Sequence, residues 1–422
     1  MSLYYLLLFF ARFHDDPRVG STFLNAGFLM ISPVKVVGAG AMIAALISKR
    51  PAAAPPRQAS ALTGLFLFLP VLPLVESIAS GNPIPNEWLS HVVSFILMLM
   101  TTRLLVCTEQ RMRTTIRVFV FVYLFSTLWI FKQHFIQHQD RVFGLELDPN
   151  YEALGLVMVI PLAVWLGRHE TLVWPRRLAL FSVPVLVYAT LLTESRGGAL
   201  ALALLGFAGF VRLKRKGVIL IACAAALPTA AMVMPEGFIS RIQSTQISGI
   251  PGNGDEESSR IHFELARSGL LMMAASPAMG VGLGRFPKEV EKYNPRLVNL
   301  TGRPFIAHNT YLQIGAECGM PVLAIWLALM AGGIANLWRV ERLVRGERMG
   351  DLAVAMRFAL LAYSVTALFL TAEWVVPYWL MIFLSQNLRE IAAAERPNAT
   401  VIREAQAIGR HYPALGAQFA DA

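Results

Sequence analysis

A few ionisable side chains stand out in a chain that is otherwise mostly apolar. Arg196 sits in Glu194-Ser195-Arg196-Gly197-Gly198, between two apolar runs. A charge at membrane depth is costly and marks a functional site by default. A guanidinium there suits phosphate oxygens, which it meets bidentately, and the glycines would let backbone or ligand approach closely. The same residue also reads as an interfacial arginine, snorkelling to headgroups or paired with Glu194. Arg260 is a second candidate anion ligand, set against an ordinary pair with Glu264 one turn later. Arg267 and Arg285 are supporting candidates. His308 stands in Ala307-His308-Asn309-Thr310 at the mouth of a long apolar run. Its ordinary pKa, about 6.5, suits a base that takes a hydroxyl proton; the competing reading is an interfacial histidine without chemistry. Asp148, before Pro149-Asn150, either caps the following helix or binds a sugar hydroxyl.

Other patterns point away from chemistry. His308 and Glu317 have poor metal-site spacing and no second histidine lies nearby in sequence, so no metal is expected. Cys107, Cys223 and Cys318 lie in or beside apolar runs without CxxC spacing and read as small buried hydrophobes. Gly280-Val281-Gly282-Leu283-Gly284 has the outline of a phosphate-cradling loop, but no strand precedes it. A turn packed closely against neighbouring helices suits it better. Trp374 and Tyr378, with Glu373, read as an aromatic belt.

The elements that position these residues are membrane helices. Hydrophobic residues make up 55% of the 422 and charged residues only 15%, with a mean hydropathy of +0.54. Continuous apolar runs, rather than alternating ones, argue for an all-α integral membrane protein and against a β-barrel. About twelve runs approach the roughly 20 residues a span needs. They cover 2–12, 24–47, 61–79, 89–106, 115–133, 151–167, 178–193, 199–211, 217–234, 309–337, 353–371 and 375–388. The first is short and lacks a basic n-region, so it reads as a weak helix and not as a signal peptide.

The net charge of +10 sits in links, not on one polar face, which weighs against nucleic acid as a partner. Lys49, Arg50 and Arg57 fill one link; Arg111, Arg113 and Arg117 another; Arg168, Arg176 and Arg177 a third. Arg212, Lys214, Arg215 and Lys216 form a fourth, and Arg339, Arg342, Arg345 and Arg348 a fifth. Links 81–87, 137–150 and 371–377 are neutral or acidic. By the positive-inside rule the basic links and both termini are cytoplasmic. The chain then divides into an N-terminal bundle (1–234), a long external loop between the ninth and tenth helices (235–307), C-terminal helices (308–388) and a cytoplasmic tail (389–422). Within the loop, 249–257 reads as a flexible turn, and Ser258 or Ser259 caps a helix running to about Ala275. Arg260, Glu264 and Arg267 share one face of it; Ile261, Leu265 and Met272 line another.

Taken in order, the motifs resemble those of the O-antigen ligase and Wzy-type polymerase superfamily, which includes O-linking oligosaccharyltransferases. The resemblance rests on Ser195-Arg196-Gly197, a long external loop with Arg260, the run from Ser276 to Phe286, and His308-Asn309 with Gly319 beyond. The family pattern is a histidine, then Asn, Ser or Gln, nine residues, and Gly-x-x-(Gly, Thr or Tyr). His308, Asn309 and Gly319 match it; Val322 departs at its last position. The resemblance spans roughly 148–337, while the N-terminal spans match in hydropathy alone. It implies a GT-C-like helical fold in the bacterial inner membrane, with the active site facing the periplasm. It also implies an undecaprenyl-diphosphate-linked glycan donor, a lipid A-core or lipid-linked glycan acceptor, and no metal or nucleotide cofactor. By position, Arg196 and Arg260 would hold the diphosphate and His308 would activate the acceptor hydroxyl, with Arg267, Arg285, Asn309 and Asp148 in support. The competing class is a transporter or flippase of an anionic lipid-linked substrate, against which stands the absence of a recognisable internal repeat.

Overall fold

The computed structural model describes residues 1–12, 24–26, 29–52, 54–56, 59–146, 148–212, 254–295, 297 and 305–411. The span expected over 217–234, residues 249–253 of the turn expected over 249–257 and the last residues, 412–422, lie outside them; 254–257 are helical rather than a turn. Among the described residues, seven helical stretches are long and apolar enough to cross a membrane. They expose large apolar side chains such as Leu128, Phe181 and Trp338. Water would penalise those surfaces, whereas lipid does not. The chain is therefore a multi-pass helical membrane protein.

The expected spans meet the structure in three ways. Two are shorter than needed: α1 (Ser2–Arg12) and α2 (Pro33–Ile47). The span expected over 24–47 is instead a small antiparallel hairpin, β1 (Leu24–Ala26) and β2 (Leu29–Ile31), followed by α2. Pro33 sets that boundary, since its fixed φ and missing N–H suit the first helical turn. The stretch 61–79 divides into α3 (Ala61–Phe68) and α4 (Val71–Ser80), with Pro70 between them. The others form long helices: α5 (Asn86–Leu105), α6 (Glu109–Phe131, extended by a π turn to Ile136), α7 (Pro149–His169) and α8 (Val173–Leu192). After α9 (Arg196–Arg212) come α10 (Gly254–Ala275), α11 (Phe286–Tyr293), α12 (Thr310–Leu343), α13 (Arg348–Thr366) and α14 (Val376–His411). Helix α10 starts before the expected serine cap, and α14 continues well into the stretch read as a tail.

Helix α7 lies at the centre, buried along almost its whole length against α6, α8 and α13. Around it the links sort to two ends. At one end Arg117 meets Glu170 at 2.5 Å, Arg212 and Arg357 share Glu341 at 3.0 and 2.6 Å, and Arg103 meets Glu390 at 2.7 Å. Hydrogen bonding to Arg117 holds Glu170 below the usual carboxylate range even though burial alone would raise it. At the other end the neutral links meet one another. Arg141 Nε donates to the Thr193 carbonyl (3.3 Å), Asn309 Nδ2 to that of Leu368 (3.0 Å), and Arg285 to Asn82 Oδ1. The partition read from charge is thus the partition of the fold.

Candidate functional site

At the neutral end, Arg196 opens α9 beside a left-handed residue, Glu194 (φ 52°). Thr193 Oγ1 accepts from Ser195 N (3.3 Å), and Ser195 Oγ accepts from Gly198 N (3.2 Å), which caps the helix and fixes where Arg196 emerges. Gly198 allows the close approach: a Cβ there would stand 2.8 Å from that of Ala153 on α7.

His308 also sits in the left-handed region (φ 47°), uncommon for a non-glycine residue and costly enough to need support from its neighbours. That support is present on both sides. Ala307 N donates to Gln313 Oε1 (2.8 Å), Asn309 Oδ1 caps α12 by accepting from Leu312 N (3.0 Å), and Thr310 Oγ1 donates to the Leu370 carbonyl (2.6 Å). Asn309 is therefore the helix cap and a strut to the turn over 367–375, and the imidazole between these anchors has little freedom.

The segment between α10 and α11 docks onto a break in α12. Gly319 leaves helical geometry (φ 82°, ψ 171°), freeing carbonyls upstream. Val281 N and Gly282 N donate to the carbonyls of Ala316 (2.8 Å) and Glu317 (3.0 Å), and Met320 N donates to that of Pro277 (2.8 Å). Glu317 then uses both carboxylate oxygens, accepting from Gly284 N (3.0 Å) and Phe286 N (2.9 Å). A Cβ on Gly280 would stand 2.4 Å from the Glu317 carbonyl. The glycine run is a docking turn for the kinked helix, which also gives Gly319 of the histidine motif its physical reason. Leu265 and Met272 of α10 pack with Phe286, Val290 and Ala316, so the amphipathic helix folds back onto the bundle.

This docking brings a residue that the sequence reading missed. His262, on α10, stands with its ring centroid 5.1 Å from that of His308, edge to face. Loss of water around the ring, followed by the charges of His308 and Arg196, pushes His262 down to about 4. Burial lowers His308 as well, while Asp148 pulls it upward. Asp148 also caps α7 through Asn150 N (2.7 Å). His262 and His308 are thus in contact, with the charge of Arg196 felt at the first and that of Asp148 at the second, although the four lie far apart in the chain. His262 was hidden because it lies between the charged positions that define the polar face of α10, and nothing short of packing pairs it with His308.

The remaining candidates fall elsewhere. Arg260 is exposed near the start of α10 and makes no hydrogen bond or ion pair with any described residue. Its expected partner Glu264 accepts instead from Asn294 Nδ2 (2.8 Å). Arg267 is exposed, 4.0 Å from Glu264. Arg285 joins Asn82 to Glu289 (2.8 Å) and so braces the docked turn against the link after α4. A further assembly went unread in the sequence. Arg12, 4% exposed, meets Glu146 at 2.7 Å together with Glu152, its guanidinium 4.5 Å over the Tyr123 ring. Gln133 and Glu152 hold the backbone of 143–146 from both sides, which fixes the link leading to Asp148.

The family model described as O-antigen ligase covers residues 179–327, from within α8 to within α12. No curated protein matches the chain.

Proposed function

Because the chain carries an O-antigen ligase domain over residues 179–327, and glycan ligation or polymerisation is the activity of that superfamily, we propose that the neutral end is its active site. It transfers an undecaprenyl-diphosphate-linked glycan to a hydroxyl on a lipid A-core or lipid-linked acceptor, at the periplasmic face of a bacterial inner membrane. The observation that carries this reading is the approach of α10 to the start of α12, which sets His262 and His308 side by side, within reach of the charges of Arg196 and Asp148.

The chemistry divides along that line. On the acceptor side His308 takes the hydroxyl proton as the acceptor oxygen bonds to the anomeric carbon. Asp148 steadies the imidazolium that results, in the way a carboxylate supports a catalytic base. On the donor side the bond between anomeric carbon and phosphate oxygen breaks, and its electron pair leaves with the diphosphate. Arg196 answers that growing negative charge, and Arg260, exposed on α10 two residues before His262, adds a second cation. The imidazolium later returns its proton to water. No nucleotide is called for, since the donor arrives activated, and the apolar flanks of the bundle suit its polyprenyl tail.

The test is to incubate detergent-purified protein with a polyprenyl-diphosphate oligosaccharide and acceptor, then repeat with protein in liposomes. Glycan transfer with release of polyprenyl diphosphate supports this reading. Movement of intact donor across liposomes, with no bond cleaved, assigns the chain to transport instead. In a deletion strain, loss of long chains marks a polymerase and unattached long chains mark a ligase.

A further inference from the structure

A cavity of about 260 Å³ lies between α1, α5, α6, α7 and the turn over 367–375. Its upper wall carries Arg12, His91, Glu146, Tyr151, Glu373 and Trp374; Leu8, Phe119 and Leu154 make an apolar floor. Two of its walls belong to the candidate site. The link containing Glu146 leads directly to Asp148, and the turn that supplies Glu373 and Trp374 grips Asn309 and Thr310 through the carbonyls of Leu368 and Leu370. The cavity and the candidate site therefore share two supporting segments.

Its charge restricts what can enter. Arg12 is already answered by Glu146 and Glu152, so a phosphate would meet carboxylates with no spare cation. A polyprenyl chain would strand the polar wall without partners, which is costly. Glu373 lines the cavity and keeps part of its side chain accessible, so its carboxyl can meet a hydroxyl there, while its buried Oε2 accepts no hydrogen bond from any described residue. Burial raises Glu373 to about 7, so near neutrality it can accept or donate. Trp374 stacks on His91 with ring centroids 5.6 Å apart and planes 11° from parallel, giving a flat, rigid wall. The volume is near the lower end for small-molecule sites, about 300 Å³. Hydroxyls for Glu373, a compact ring for the volume and C–H faces for the apolar floor describe a sugar.

We propose that this cavity takes one neutral pyranose ring of the acceptor glycan, so that a hydroxyl beside it meets His308. The proposal rests on the glycan-transfer reading, and its test is separate from catalysis. The full chain, in a detergent without a sugar headgroup, is titrated with glucose, galactose, N-acetylglucosamine and inorganic phosphate while tryptophan fluorescence is followed. At least one sugar is expected to give a saturable change and phosphate none. Ala11→Phe, which fills the cavity from α1, and Glu373→Leu should each weaken that binding at least tenfold, with melting temperature checked; Glu373→Gln, keeping shape and hydrogen bonding, should weaken it less. In the transfer assay the same variants should raise the acceptor KM and leave the donor KM within twofold. Sugar binding that survives in folded Ala11→Phe and Glu373→Leu, or binding by phosphate alone, overturns the proposal. A failed transfer assay with intact, cavity-dependent sugar binding removes the transferase reading and leaves a saccharide site.

Discussion

At the basic end of the bundle, Arg212 and Arg357 share Glu341, and Arg117 is held by Glu170. At the neutral end, Arg196 acts on an imidazole that it helps to keep uncharged, and Arg260 makes no ion pair with a described residue. A carboxylate, Asp148, acts on the other imidazole. Cations matched to carboxylates tie helices together, as Arg12 does with Glu146 and Glu152 elsewhere in the bundle. Around His262 and His308, by contrast, a cation acts on one imidazole and a carboxylate on the other, an arrangement that does little for folding and much for a reaction that separates charge.

Substitutions can break this comparison at either end. The largest effect is expected on turnover: Arg196→Ala should slow glycan transfer by on the order of 10²–10³-fold, and His308→Ala by about 10²–10⁴-fold. Both are read as initial rates of polyprenyl diphosphate release, in protein whose melting temperature stays close to that of the parent. Next comes stability. Arg12→Ala strands Glu152 in a fully buried site and should cost about 3–5 kcal/mol, measured by thermal or denaturant unfolding in detergent. Arg212→Ala, at a partly exposed pair, should cost about 0.2–1 kcal/mol; equal losses would erase the distinction between the two pairs.

Smaller effects sharpen the account of the docked turn and the base. Gly280→Ala forces a Cβ against the Glu317 carbonyl at positive φ and should cost about 1–3 kcal/mol, with faster proteolysis near 276–286 as the local readout. The pH dependence of transfer gives the finest test. The base form of His308 accumulates above its pKa, which burial holds below the ordinary histidine value. The rate should therefore rise with pH, with its inflection below about 6.5, and level off before neutrality. Asp148 raises that pKa, so Asp148→Asn should move the inflection lower still. A shift to higher pH would contradict the placement of Asp148 beside His308.

Much of this was legible in the sequence because lipid imposes simple rules. Apolar runs gave α5 to α8, α12 and α13 to within a few residues, and basic links gave the two ends. The failures have equally physical causes. Pro33 and Pro70 interrupt apolar runs that hydropathy reads as continuous. Arg196 and His308 were visible because polar residues at helix mouths are conspicuous. His262, Gln133 and the Arg12–Glu146–Glu152 assembly were not, since each acquires its role only through a partner from another helix. The glycine run lacked a strand and was rightly read as a packed turn, but the break at Gly319 that receives it has no signature beyond a glycine ahead of Pro321.

The most direct test places the chemistry at one end. Release of polyprenyl diphosphate is measured side by side for the parent protein, Arg196→Ala, His308→Ala and the basic-end control Arg212→Ala. The account predicts losses of at least about 100-fold for the first two variants and near-parental rates for the control. Near-parental rates for both neutral-end variants, or a collapse confined to Arg212→Ala, would show that the reaction takes place elsewhere.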